Sequence, residues 1–146
     1  MRTASTDDEP DDEGSATVEF ILLAVLLLIP VVYFLILTSQ IQAAAYASVA
    51  AADQAAKSAV NVQDPVESAE RIHQVVDLTL ADYGQSTESH EVQVTCSSEP
   101  CLEAGSSVAV TVDIRVPVPL VPSFLGWDTV AATVSSSALH VVPRFG

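Results

Sequence analysis

Residues 20–37 read FILLAVLLLIPVVYFLIL, eighteen positions without a charge. As a helix the run covers about 27 Å, close to the roughly 30 Å hydrocarbon thickness of a bilayer. The core helix of a water-soluble domain shows a polar face, and this run shows none. A membrane-inserted helix is therefore the expectation. Pro30 lies inside the run. It removes one backbone hydrogen bond, a loss that membrane helices tolerate.

Composition fits a chain that segregates its properties along its length. Hydrophobic residues make up 49% and mean hydropathy is +0.39, yet the net charge is −14. Charged residues are only 16%, against about 25% in an ordinary soluble domain. Nucleic-acid binding is excluded as an expectation, because phosphate contacts need clustered bases. Here Arg2, Lys57, Arg71, Arg115 and Arg144 are scattered. The apolar content also excludes a purely acidic disordered chain. Little length remains for a large catalytic domain.

The segment after the run, residues 38–60, is alanine-rich and helix-favouring. Ile41, Ala45, Val49, Ala52, Ala56 and Val60 recur at three- and four-residue spacing, which assigns them to one face. A continuous helix from Ala16 to Val60 would be about 68 Å long. So thin a stem should pack on a globular domain or on other copies of itself.

Residues 61–63 read as a break. Asp64 is placed to cap a second helix, with Pro65 at its first position and Glu67 at the capping-box position. Ala69, Ile72, Val76, Leu80 and Tyr83 form its apolar stripe, and Gly84 stops it. The spacing predicts an amphipathic helix over 65–83. Beyond it the period becomes two. Val92, Val94 and Cys96 alternate with polar residues, and so do Val108, Val110, Val112, Ile114 and Val116. Residues 116–122, with three prolines, should form an extended loop rather than a central strand. Residues 128–142 read as a final strand. The expected class is α+β: a long N-terminal transmembrane and stem helix, a second helix, and a small antiparallel sheet of about three strands.

Cys96 and Cys101 are the only cysteines and enclose four residues between strand candidates. A disulfide at a hairpin tip is one reading, and suits an oxidising compartment beyond a membrane anchor. Two free thiols or half a metal site are the others, though His90 and His140 lack ligand-like spacing. Serines 135–137 sit in no nucleophile elbow, and His73, His90 and His140 specify no triad. There is no glycine-rich phosphate loop. Neither an enzyme, a cofactor nor a small-molecule substrate is expected.

Gly14-Ser15-Ala16-Thr17-Val18-Glu19-Phe20 leads directly into the apolar run. By itself Glu19 reads as an interfacial acid near a helix N-terminus, where the dipole favours it. A hydrophilic leader ending in Gly14, with an acid five residues on and then an aromatic residue, resembles a class III, prepilin-type signal. With the Pro30-containing run, the alanine-rich continuation and the later Val/Thr strands, the chain resembles the TadE-like family of tight-adherence (Flp-type) pilus assembly proteins, minor pilins or pseudopilins. The resemblance covers most of the chain from Gly14 onward. It implies cleavage between Gly14 and Ser15 by a membrane prepilin peptidase. It makes Glu19 and Phe20 the recognition and assembly residues, with Glu19 fifth in the mature chain. Implied partners are the cytoplasmic membrane, other pilins or pseudopilins and the pilus secretion machinery. The leader departs from that family in being acidic: Asp7, Asp8, Glu9, Asp11, Asp12 and Glu13 stand against Arg2 alone. Orientation therefore rests on the resemblance rather than on basic residues. Removal of the leader would leave a net side-chain charge of about −9, enough to keep an exposed domain soluble.

The expected organisation is an acidic leader over 1–14, a transmembrane and stem helix over 15–60 with the membrane part at 20–37, and an extracytoplasmic α+β domain over 61–146. Two rival readings remain. One is an uncleaved single-pass protein with an unrelated binding domain. The other is a secreted protein cut at a small-x-small site such as Ala43-Ala44-Ala45 or Ala45-Tyr46-Ala47.

Overall fold

The computed structural model describes residues 13–119 and 130–144, with side chains from residue 16 onward. Most of the leader, the end of the proline-rich loop and the first two residues of the expected final strand lie outside the described residues. Two helices are followed by three strands: α1 (Glu13–Ala59), α2 (Pro65–Asp82), β1 (His90–Cys96), β2 (Ser107–Pro117) and β3 (Val130–Val141). The architecture is α+β, with one antiparallel sheet in the order β1-β2-β3.

The chain divides into two compact units, Met1–Leu35 and Ile36–Gly146. What is described of the first is the N-terminal part of α1. Every side chain from 16 to 32 is exposed, including Phe20, Leu26 and Ile29. Pro30 is accommodated within the helix. By length and composition α1 is able to cross a membrane.

The second unit is built around β2. Its alternation is strict: Val108, Val110, Val112, Ile114 and Val116 are buried, while the residues between them face outward. One core joins these side chains to Ile72, Val76 and Leu80 of α2 and to Ala44, Ala47, Ala51, Ala52, Ala55, Ala56 and Ala59 of α1. This differs from the expected stem face. Ala52 and Ala56 are buried, but Val49 is 58% exposed and Ala45 only half-buried. The reason is volume. The inward face of β2 is filled by valine and isoleucine, so the helix face opposite carries methyl groups and the larger Val49 turns to solvent.

α2 starts as its sequence dictates. Asp64 Oδ1 accepts from the amides of Val66 (2.7 Å) and Glu67 (3.1 Å), and Pro65 occupies the first turn. The Glu67 carboxylate reaches Arg71 at 3.5 Å. The helix ends at Asp82 with Tyr83 as the cap. Gly84 takes φ +67°, and the Gly84 and Gln85 amides return to the carbonyls of Ala81 and Leu80. That is a Schellman ending, which needs the left-handed residue that glycine supplies. Ile72, Val76 and Leu80 are buried, whereas Ala69 and Tyr83 are exposed.

The sheet register pairs Val94 with Val110 and Val110 with Ala138. β2 also runs further than the prolines suggested, through Val116 and Pro117, although it is the central strand. Its pairing with β1 stops at Ile114, and a bulge follows where Pro117 pairs with Val130. At Pro117 the strand therefore has a neighbour on one side only, where a missing N–H is tolerated.

A larger side chain on the alanine face should not fit. Ala55→Leu is expected to destabilise by about 1–3 kcal/mol through overpacking. Val49→Leu, on the exposed side, should stay within about 0.5 kcal/mol of the parent. Denaturant unfolding of the detergent-solubilised full chain measures both.

Candidate functional site

The residues singled out by the sequence fall in two places. Gly14, Ser15, Glu19 and Phe20 all lie on α1, which begins at Glu13. The bond between Gly14 and Ser15 lies within the described part of α1. Glu19 and Phe20 are both exposed, Phe20 by 71%. Glu19 is the last charge before the apolar run. Cys96 and Cys101 belong to the other unit.

Cys96 and Cys101 form a disulfide, with Cα atoms 5.2 Å apart. It closes the turn after β1. Ser106 Oγ donates to the Cys101 carbonyl (3.0 Å), and Ser97 Oγ accepts from the Ser107 amide (2.8 Å). With Pro65, Ala69, Ile72, Val94 and Leu102 the two cysteines line a shallow apolar groove between α2 and β1.

Of the three histidines, His73 is exposed. The other two tie the sheet to the helices. His140 Nε2 on β3 lies 3.2 Å from Asp53 Oδ1 on α1. Asp53 Oδ2 in turn accepts from Lys57 Nζ at 2.6 Å. Lys57 first, and then His140, hold the Asp53 carboxyl below its ordinary value of 3.8. On β1, His90 Nε2 lies 3.4 Å from Asp77 of α2, while its Nδ1 is buried without a partner among the described residues. A third tie is apolar in setting: buried Ser48 donates to the Ala45 carbonyl (3.0 Å) and meets Ser136 Oγ at 2.8 Å. The one hint in the sequence was position: His90 and His140 both fall on the inward side of a two-residue period.

Chemically these groups orient and fasten. Ser135 and Ser137 point to the exposed sheet face, and Ser137 accepts from Thr111 at 3.1 Å. No three His, Cys, Asp or Glu side chains converge as metal ligands among the described residues. No family model, curated protein or solved structure matches the chain.

Replacing both Cys96 and Cys101 by Ser should cost about 2 kcal/mol, the loop-closure value for so short a loop. Chemical denaturation under non-reducing conditions reads it. Acid should weaken the Asp53 tie. With its folded pKa lowered, Asp53 contributes stability that is complete above its unfolded value and lost as pH falls through the folded one. Asp53→Asn should therefore narrow the difference between melting temperatures taken at about pH 5 and about pH 2.

Proposed function

We propose that this chain is a membrane-anchored structural component of a pilus-type assembly, a TadE-like minor pilin or pseudopilin. Its α1 anchors it in the cytoplasmic membrane, and its disulfide-bearing domain lies on the outer side. The observation that carries the reading is the placement of Glu19. It sits at the threshold of an apolar stretch whose side chains are exposed from 16 to 32, five residues after Gly14, on one unbroken α1. Exposed leucines and isoleucines over that length are unstable in water, and lipid or other apolar helices would cover them. Where such helices pack side by side, a carboxylate at their edge needs a cation. Cleavage after Gly14 would create one, the α-amino group of Ser15 on an adjacent subunit. A buried pair of that kind fixes register more than it adds stability.

Two further features support an anchored, extracytoplasmic protein. The disulfide suits an oxidising compartment. Secretion with cleavage near Ala45 or Ala47 is disfavoured by packing. A cut there would strip Ala44, or Ala44 and Ala47, from the core, and both are fully buried.

Mass spectrometry of the protein recovered from membranes tests the proposal. A mature N-terminus at Ser15 is expected. Glu19→Ala should leave membrane insertion intact and reduce incorporation into surface fibres or co-purification with other pilins by tenfold or more, about 1.4 kcal/mol in equilibrium terms. An N-terminus at Met1 would instead mark an uncleaved anchor, and unchanged assembly of Glu19→Ala would remove its assigned role.

A further inference from the structure

At the sheet end where Ser107 pairs with Val141, a cleft of about 550 Å3 opens between the α1–α2 connection, the turn before β2 and the residues after β3. Val62, Leu102 and Val142 give it an apolar wall, and Asn61, Gln63 and Arg144 give it polar groups.

Arg144 is held in place there. Gly105 takes φ +88°, and a Cβ on it would stand 2.7 Å from Arg144 Nε and 3.2 and 3.3 Å from its Nη2 and Cζ. The guanidinium therefore lies against bare backbone, a close approach that glycine permits and a side chain would obstruct. That backbone is itself fixed. The Gly105 amide donates to the Val142 carbonyl (3.0 Å), and the Val142 amide donates to the Ser106 carbonyl (2.8 Å).

Charge singles out the same residue. Lys57 lies 2.6 Å from Asp53, Arg71 lies 3.5 Å from Glu67, and Arg115 lies 3.6 Å from Glu91. Arg144 is exposed and has no acid within ion-pair distance among the described residues. In a chain of net charge −14 a base without an acid is the exception. Gln63 is exposed beside it, its carboxamide without a hydrogen bond among the described residues. Residues 120–129 do not extend this far. They join the opposite end of the sheet, where Pro117 pairs with Val130. Ten residues held at both ends reach out at most about 20 Å, and β3 from Val130 to Val141 is about 36 Å long.

The donor set selects the ligand. A guanidinium fork matches a carboxylate through two parallel N–H···O bonds, and Gln63 adds a donor to one side. A phosphate dianion carries about twice the charge and would meet the same single base. Exposed Glu103, between the lining residues Leu102 and Ala104, opposes the larger charge. A small free carboxylate would leave the apolar wall in water. An acid with an apolar neighbour fills both parts, as pockets pair apolar walls with a few placed polar groups.

We propose that this cleft binds an acidic peptide segment of a partner protein. Arg144 takes an Asp or Glu carboxylate, and an adjoining apolar side chain lies against Val62, Leu102 and Val142. The site belongs wholly to Ile36–Gly146, so the proposal does not rest on the anchored reading above.

Nitrogen-15 NMR of the full chain in uncharged detergent tests it, at low salt because screening weakens an exposed pair. The probes are acetyl-leucyl-glutamyl-leucine amide, its glutaminyl counterpart and inorganic phosphate. The glutamyl peptide should shift the Arg144 Nε–H signal, identified by its loss in Arg144→Lys, and the shift should saturate. The glutaminyl peptide should bind at least tenfold more weakly. Arg144→Gln should keep the parent backbone spectrum and bind the two peptides alike, whereas Leu102→Ala should weaken both. Equal binding of the two peptides to the parent, or phosphate binding as tight as that of the glutamyl peptide, would overturn the proposal. So would the lack of any shift in protein that keeps its disulfide. A response that appears only after deletion of residues 145 and 146 would mean a cleft filled from within the chain, and would overturn it too.

Discussion

The contact on which the folded unit depends is between alanine methyls of α1 and the branched side chains of β2. A sheet face built of valine and isoleucine is already full, and a helix laid on it needs small residues to come close. α1 supplies seven buried alanines, spread from Ala44 to Ala59. Each removes little area from water by itself. Their effect is to let the larger groups, Val108, Val110, Val112 and Ile114, be enclosed completely, each worth about 1.5–3 kcal/mol of transfer free energy. α2 closes the remaining side with Ile72, Val76 and Leu80.

Methyl against methyl packing fixes distance but resists sliding poorly. Direction comes from the polar ties. Ser48 with Ser136 and Asp53 with His140 pin two points of α1 to two points of β3. Asp77 beside His90 does the same for α2 and β1. The Ser68 hydroxyl reaches the Ala59 carbonyl at the end of α1 (3.2 Å), which satisfies a group the helix terminus leaves open. Because the ties join three different pairs of elements, helices and sheet are held in one register. The exposed ties contribute little energy individually. Their geometric effect is larger than their energetic one.

Local signals were legible, and long-range ones were not. The Asp64-Pro65 start and Gly84 stop of α2 are written in consecutive residues, and so is the alternation of β2. The class, α+β with three antiparallel strands, followed from them. The buried face of α1 did not. Every alanine is compatible with either side of a helix, so the choice between Val49 and Ala51 as core was decided by β2, which is remote in sequence. The extension of β2 into Pro117 was hidden for a similar reason. A proline is forbidden only where two neighbours need its N–H, and where β1 stops is a property of the sheet. The His140–Asp53 pair joins positions 87 residues apart, beyond any local pattern. At the N-terminus, the spacing of Gly14, Glu19 and the apolar run was legible because its members are adjacent on one helix.

That helix has two compositions, and side-chain volume tells them apart. Over 20–37 it carries large apolar groups on all sides, suited to lipid or to similar helices. Beyond residue 40 the large groups thin out and alanine takes over, suited to a sheet. No glycine or further proline separates the two stretches. Exchanging the compositions would fail in both directions: leucines would not fit against β2, and an alanine-rich run would gain less from leaving water. The helical backbone of α1 runs through both stretches. Charge obeys the same division. Acids occupy the leader and the domain but leave the apolar stretch empty, with Glu19 as the last carboxylate before it. A single carboxylate at that boundary stays near water when the helix is alone. Under the proposed function it would need a cation only once neighbouring helices enclose it, which would make the position sensitive to assembly rather than to folding.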